Sequence, residues 1–251
     1  MKSNYYTVGP LKITTSDRES VIDEIISAAS DHRFLSVITP NASHLQMALD
    51  SPETARLFAE ADVSLPDGWP IAWLLKKFSG DQRGRITGSD LSVDILHAAA
   101  DQDLTVAIIG GTDATLDLAI EKSKERFPSV RFVRPSNNPH LPNTPTAESR
   151  DEFVATLNET RAHLVLLCLG APKSELHLLL DAQRLHTGPV LCVGATVDFL
   201  AGTKARAPMI MQKLNLEWLF RLLQEPKRLT RRYYSAAIAV TKTYRLERSK
   251  R

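Results

Sequence analysis

Cysteine is scarce: two residues in 251, Cys168 and Cys192. Each sits inside a short apolar run, Leu164 to Leu169 and Val190 to Val193. Both are therefore expected as reduced core thiols, which suits a cytoplasmic compartment and rules out a disulfide framework. No Cys/His set has ligand spacing, so no structural zinc is expected. No apolar run approaches the ~20 residues that a spanning helix needs. The opening Met1-Lys-Ser-Asn-Tyr-Tyr-Thr-Val lacks the apolar core of a secretory leader, so none is expected. Two glycine signatures are also missing. There is no G-x-G-x-x-G, and no Gly-Lys-Ser/Thr that would complete a P-loop, which weakens NAD and ATP readings.

What is present is an uneven charge distribution. Residues 204–251 hold 13 of the 31 Lys and Arg but only 3 of the 29 Asp and Glu. That segment is +10 and the rest is −8, so the net +2 hides an acidic body with a basic tail. The tail also carries large apolar residues between Met209 and Leu223. Basic and apolar together fit an anionic membrane surface better than nucleic acid.

Residues 1–203 show short apolar runs alternating with helical patterns. The runs are Phe34 to Ile38, Ala61 to Leu65, Leu104 to Ile109, Arg131 to Val133, Leu164 to Leu169 and Val190 to Val193. Strands of continuous apolar character imply a parallel sheet covered on both faces. The expected fold is α/β, a Rossmann-like, mostly parallel sheet with helices on both faces. Past Gly202 the alternation stops, and two helical patterns split at Pro226 form a basic amphipathic appendage over 204–251. In such sheets ligands bind beyond the carboxyl ends of the strands. The loops there are Thr39-Pro40-Asn41, Pro66-Asp67-Gly68, Gly110-Gly111-Thr112, Gly170-Ala171-Pro172 and Gly194-Ala195-Thr196.

The candidate chemistry sits in these loops, each residue with a plainer alternative. Gly110 and Gly111 can offer backbone N–H groups to a phosphate, or simply make a tight turn. Asp67, between a Pro and a Gly at a strand end, fits a functional carboxylate or ordinary turn chemistry. Asp198 fits a ribose-binding carboxylate or a helix-start Asp. Asp101-Gln102-Asp103 has a metal-binding D-x-D form. It precedes a strand, so it belongs at the wrong end of the sheet and reads as a solvated loop. Arg221, Arg228 and Arg231 share one side of the tail, either as a solvated basic face or docked beside Trp218, Leu219, Leu222 and Leu223.

Several motifs occur in order: Thr39-Pro40-Asn41, Leu65-Pro66-Asp67-Gly68, Arg85 to Asp90, Gly170-Ala171-Pro172-Lys173 with Glu175, and Val193 to Gly202. Arg206-Ala207-Pro208 and the block Leu216 to Tyr233 follow. Together they resemble the WecG/TagA/CpsF glycosyltransferases over about residues 35–234. The resemblance implies an inverting, metal-independent transfer without a cofactor, from a UDP-sugar to a sugar on a polyprenyl-diphosphate carrier. The sugar would be of N-acetylmannosamine, uronic acid or hexose type, and the setting cell-surface polysaccharide synthesis. Asp67 would be the general base, with Thr39, Asn41 and Arg85 lining the sugar and acceptor pocket. Asp198 would hold the ribose, and Arg221, Arg228 and Arg231 would reach the diphosphate. The enzyme would sit peripherally on the inner face of the cytoplasmic membrane.

Two positions depart from the family pattern. Ser174 stands where the family has Gln, which bears on sugar choice, and Asn215 stands where it has Gly. The residues leave a homo-oligomer open. The rival reading is a non-catalytic nucleic-acid-binding α/β protein with a basic arm. It explains the tail charge but not the apolar block or the loop carboxylates.

Overall fold

The computed structural model describes residues 5–250 except 83, 209, 212, 213 and 215, and without the side chain of Arg228. A hairpin of β1 (Tyr5–Val8) and β2 (Leu11–Thr14) opens the chain, turning at Gly9 with φ +55°. The main sheet contains β3 (Ser36–Ile38), β4 (Val63–Ser64), β5 (Thr105–Ile109), β6 (Arg131–Val133), β7 (Leu164–Leu167) and β8 (Val190–Cys192). All its pairings are parallel, in the order β4-β3-β8-β7-β5-β6. The α/β class with a doubly covered parallel sheet is as expected; the hairpin is an addition to it.

Alternate residues of each strand feed opposite cores, as the two-residue period of a strand requires. Leu164 and Leu166 of β7 enter one core, Val165 and Leu167 the other. The first core is covered by α1 (Arg18–Ser30), α5 (Gly88–Ala100), α6 (Asp113–Arg126) and α9 (Thr196–Ala201). The second lies under α2 (Ala42–Asp50), α3 (Pro52–Ala59), α4 (Trp69–Ser79), α7 (Ala147–Thr160) and α8 (Lys173–Asp181), together with the hairpin. Neighbouring β3 and β8 thus lead to helices on opposite faces. Their carboxyl ends must diverge, which opens a crevice of the kind where α/β proteins bind ligands. Cys168 and Cys192 are free and buried, and burial pushes the Cys168 thiol up to about 12 and that of Cys192 well above its usual value. They are packing residues.

Among the described residues after 203, α10 spans Glu217–Gln224 and α11 spans Pro226–Ser249. α10 has no buried residue. α11 instead inserts Leu229, Ala236, Ala239, Thr243 and Glu247 into the protein. Tyr244 stacks on Trp73 with ring centroids 5.4 Å apart, and Glu247 Oε1 accepts the Gly9 N–H at 3.1 Å. Among the described residues no helix is long and apolar enough to cross a membrane.

Candidate active site

Three loops at the carboxyl edge are bonded into one frame. The Asp67 N–H donates to the Pro40 carbonyl at 2.9 Å, and the Ile86 N–H to the Pro66 carbonyl at 3.0 Å. Thr39 Oγ1 donates to the Cys192 carbonyl at 2.9 Å, fixing the loop after β3 to the end of β8. Gly88 opens α5 in the same crevice. A Cβ there would lie 3.1 Å from Val193 Cα and 3.2 Å from Thr39 Oγ1, so any side chain would press the two loops apart by a few tenths of an ångström. Asn41 caps α2: its Oδ1 accepts the Ser43 N–H at 3.0 Å, while its own N–H donates to His44 Nδ1 at 3.2 Å.

Asp67 stands on this frame with Gly68 (φ +90°) supplying the turn into α4. Desolvation raises its pKa from 3.8 to about 6. The charges of Arg221 and Arg85, and of His44 when protonated, pull it down, while Glu217 pushes it up. Arg85 is ion-paired to Glu217 at the start of α10. So α10 lies over the carboxylate and brings a cation and an anion with it.

Beside Asp67 a cleft is lined by Ala195 and Phe199 of the body and by Lys204, Arg206, Glu217, Arg221, Glu225 and Arg232 of the tail. Four cations and two carboxylates line it, with Asp90 and Asp198 just outside as partners of Arg206 and Lys204. Arg221 and Arg206 lie 5.5 and 5.9 Å from the Phe199 ring centroid, within cation–π range. Arg206 also pairs with Asp90 at 2.6 Å. Burial alone would raise the Asp90 pKa, but the bonds from Thr87 and Arg206 outweigh it and hold the group below its usual value.

The remaining candidates fall as follows. Asp198 is at the cleft's edge, 3.0 Å from Lys204 Nζ. The Gly110 N–H is already donated to Asn138 Oδ1 at 2.9 Å, and Asn138 Nδ2 donates to the Gly111 carbonyl at 3.1 Å. A Cβ on Gly110 would be 2.6 Å from the Cys168 carbonyl, so close packing accounts for that glycine. Ser174 is buried in the first turn of α8, and its hydroxyl has no partner among the described residues. Arg231 is exposed and does not line the cleft. Arg228 has its backbone in α11, but its side chain lies outside the described residues, as does Asn215 entirely. Asp101 and Asp103 are exposed just before β5, at the opposite edge of the sheet. Among the described residues no group of His, Cys, Asp or Glu side chains is placed to hold a metal.

Lys204, Arg206 and Arg232 also line the cleft, though the motifs in the sequence give none of them a site role. Arg232 shares a helical face with Glu225, Leu229 and Tyr233, all of which line the cleft. Arg231 is one step of about 100° away from that face. Leu229 faces inward, and the helical period puts Arg232, three residues on, on the same face.

Asp67 does not itself line the cleft, but two of the residues that do, Arg221 and Glu217, act on its charge. Residues 6–251 match the model of the glycosyl transferase WecG/TagA/CpsF family. The chain belongs to that family and is a glycosyltransferase.

Proposed function

We propose that this enzyme moves a sugar from a UDP-sugar to a saccharide carried on a polyprenyl diphosphate, with inversion at the anomeric carbon and without a metal. Asp67 carries the reading. A carboxylate titrating near 6 is ionised at neutral pH yet basic enough to take a proton from the acceptor hydroxyl. The hydroxyl attacks the anomeric carbon from the face opposite UDP. The proton passes to Asp67 and the bonding pair leaves with the diphosphate. Negative charge then grows on the leaving oxygen, and fixed guanidinium groups are well matched to it. Arg221, Arg206 and Arg232 are the cleft's candidates for that role, with Lys204. The D-x-D pair at the far edge of the sheet is not placed to bring a cation to this cleft.

A lipid-linked acceptor stays at the bilayer, so the enzyme must meet it there. The tail supports this with exposed Ile210, Leu214, Trp218 and Leu223 among its basic residues. Each Lys or Arg near an anionic surface is worth about 1 kcal/mol, so half a dozen suffice to localise the protein. The test is UDP release from a panel of UDP-sugars, given a short polyprenyl-diphosphate sugar, with and without EDTA. Asp67→Asn should lose about 10²–10⁴-fold in turnover while still binding UDP. Activity near wild type in that variant removes Asp67 from the mechanism. Loss on chelation, restored by magnesium or manganese, overturns the metal-free step.

A further inference from the structure

Beneath the loop frame lies a polar pair that the transfer step does not use. His44 on α2 and Glu175 on α8 are 2% and 3% exposed, and His44 Nε2 lies 3.1 Å from Glu175 Oε1. That contact has the distance of a hydrogen bond without its full alignment, and Glu175 Oε2 has no partner among the described residues. On its other side, His44 Nδ1 accepts the Asn41 N–H. A backbone N–H can only donate, so Nδ1 carries no proton and the ring proton sits on Nε2, facing the carboxylate.

A buried ionisable pair is a poor source of stability, since apolar residues of similar volume serve a core as well or better. Helix capping does not require one either, because Glu or Gln at the third helical position closes a capping box unaided. What this pair does that neither alternative would is connect loops. It joins the element after β7 to the element after β3, across the end of β8, which lies between them in the sheet. From His44 the connection runs to Asn41, along the backbone to Pro40, and through the Pro40 carbonyl to the N–H of Asp67.

We propose that His44 and Glu175 are positioning residues that hold the Thr39–Asn41 loop and, through it, the backbone of Asp67 in register with the cleft. This rests on reading Asp67 as the base, and it adds residues that touch no substrate. Misplacing a reacting group by about 1 Å can cost about 10²-fold in rate, so a loosened loop would show in turnover before it shows in donor binding.

The test uses the full chain with three readouts: kcat and KM for the UDP-sugar, amide exchange in peptides covering 37–41 and 63–68, and melting temperature. His44→Leu removes both contacts. It should lower kcat by up to about 10²-fold with KM changed less than about threefold, and speed exchange at Asp67 but not in β5. His44→Gln offers a carbonyl to the Asn41 N–H and an amide to Glu175, and should recover about tenfold of the lost rate. If the leucine variant does not fold, His44→Asn replaces it: its shorter arm reaches the Asn41 N–H but not Glu175, and about tenfold loss is expected. Unchanged exchange at Asp67 in a folded variant overturns the proposal. So does a loss confined to KM, or a glutamine variant no better than leucine. Full transfer by Asp67→Asn would sink the base assignment alone, since the exchange measurement reports the held loop without it.

Discussion

α10 and α11 follow one another in the same basic segment, yet they are built for different work. α10 buries none of its residues, leaves Leu223 71% exposed, and meets the body through the Arg85–Glu217 pair and Arg221 against Phe199. α11 sinks a stripe of small residues into the protein, with Thr243 fully buried against the hairpin. One helix brings charge to the site through contacts that water and ions can replace. The other is fixed by packing, which they cannot. The tail can therefore serve the cleft and the fold at once: α10 serves only the cleft, whereas α11 packs into the body and also turns Arg232 toward the cleft.

The sharpest way to test this division is Arg221→Ala. Arg221 acts on Asp67 and lines the cleft proposed for the diphosphate, so its removal should lower kcat by about 10²–10³-fold. The melting temperature should barely move, because α10 has no buried residue to disturb. Steady-state kinetics beside a thermal melt reads both. A variant that lost several degrees along with its activity would show that α10 is structural too.

The reverse is expected from Gly9→Ala. Gly9 has φ +55°, and an added Cβ would fall 2.9 Å from Thr243 Cγ2 on α11. Left-handed strain and overpacking together should cost about 2–4 kcal/mol, read by urea unfolding. Turnover by the folded fraction should stay close to wild type. A selective loss of kcat with stability unchanged would mean that the Thr243 end of α11, and not only its Arg232 end, acts on the chemistry.

How much of this contrast the sequence displays depends on the residue. The six sheet strands are visible because buried parallel strands are continuous apolar runs, as in Leu164–Leu167. The site loops then follow from the sheet's carboxyl edge, and Asp67 from its place between Pro66 and Gly68. The hairpin is harder to see, for its strands are four residues each, with alternation confined to Leu11, Lys12 and Ile13. The inward stripe of α11 is hidden for another reason. Ala236, Ala239 and Thr243 carry little hydrophobicity, and the surrounding arginines dominate any reading of that segment. The geometry of Arg232 and the His44–Glu175 contact leave no mark in the sequence, since both depend on how helices rotate against the sheet.

Asp67 offers a test in which activity and stability move in opposite directions. Its folded pKa, about 6, lies above the ordinary 3.8 because burial disfavours the charge. Raised in the folded state, it costs nothing below pH 3.8, and its penalty grows as pH rises through about 6. The gap corresponds to roughly 3 kcal/mol, an upper limit because the side chain keeps some contact with water. Asp67→Asn should then melt higher than wild type at pH 8 and alike at pH 3.5, while losing transfer throughout. Wild-type kcat/KM should fall below about pH 6 as the base protonates. An acid limb centred near 4 would mean that the cationic neighbours prevail over burial.

The smallest effect isolates the inner face of α11. Thr243 is 0% exposed, and its hydroxyl has no hydrogen-bond partner among the described residues. A buried hydroxyl that gains no bond on folding still loses its bonds to water, so the group costs stability where it stands. Valine keeps the branched shape and removes the polar atom. Thr243→Val should therefore raise stability by about 1 kcal/mol in urea unfolding, without changing kcat or donor KM. The comparison with α10 gives the measurement its force, because Arg221→Ala should alter kinetics and leave unfolding alone. A destabilised valine variant would mean that the hydroxyl bonds in solution, and that α11 is held by polar contacts as well as by packing.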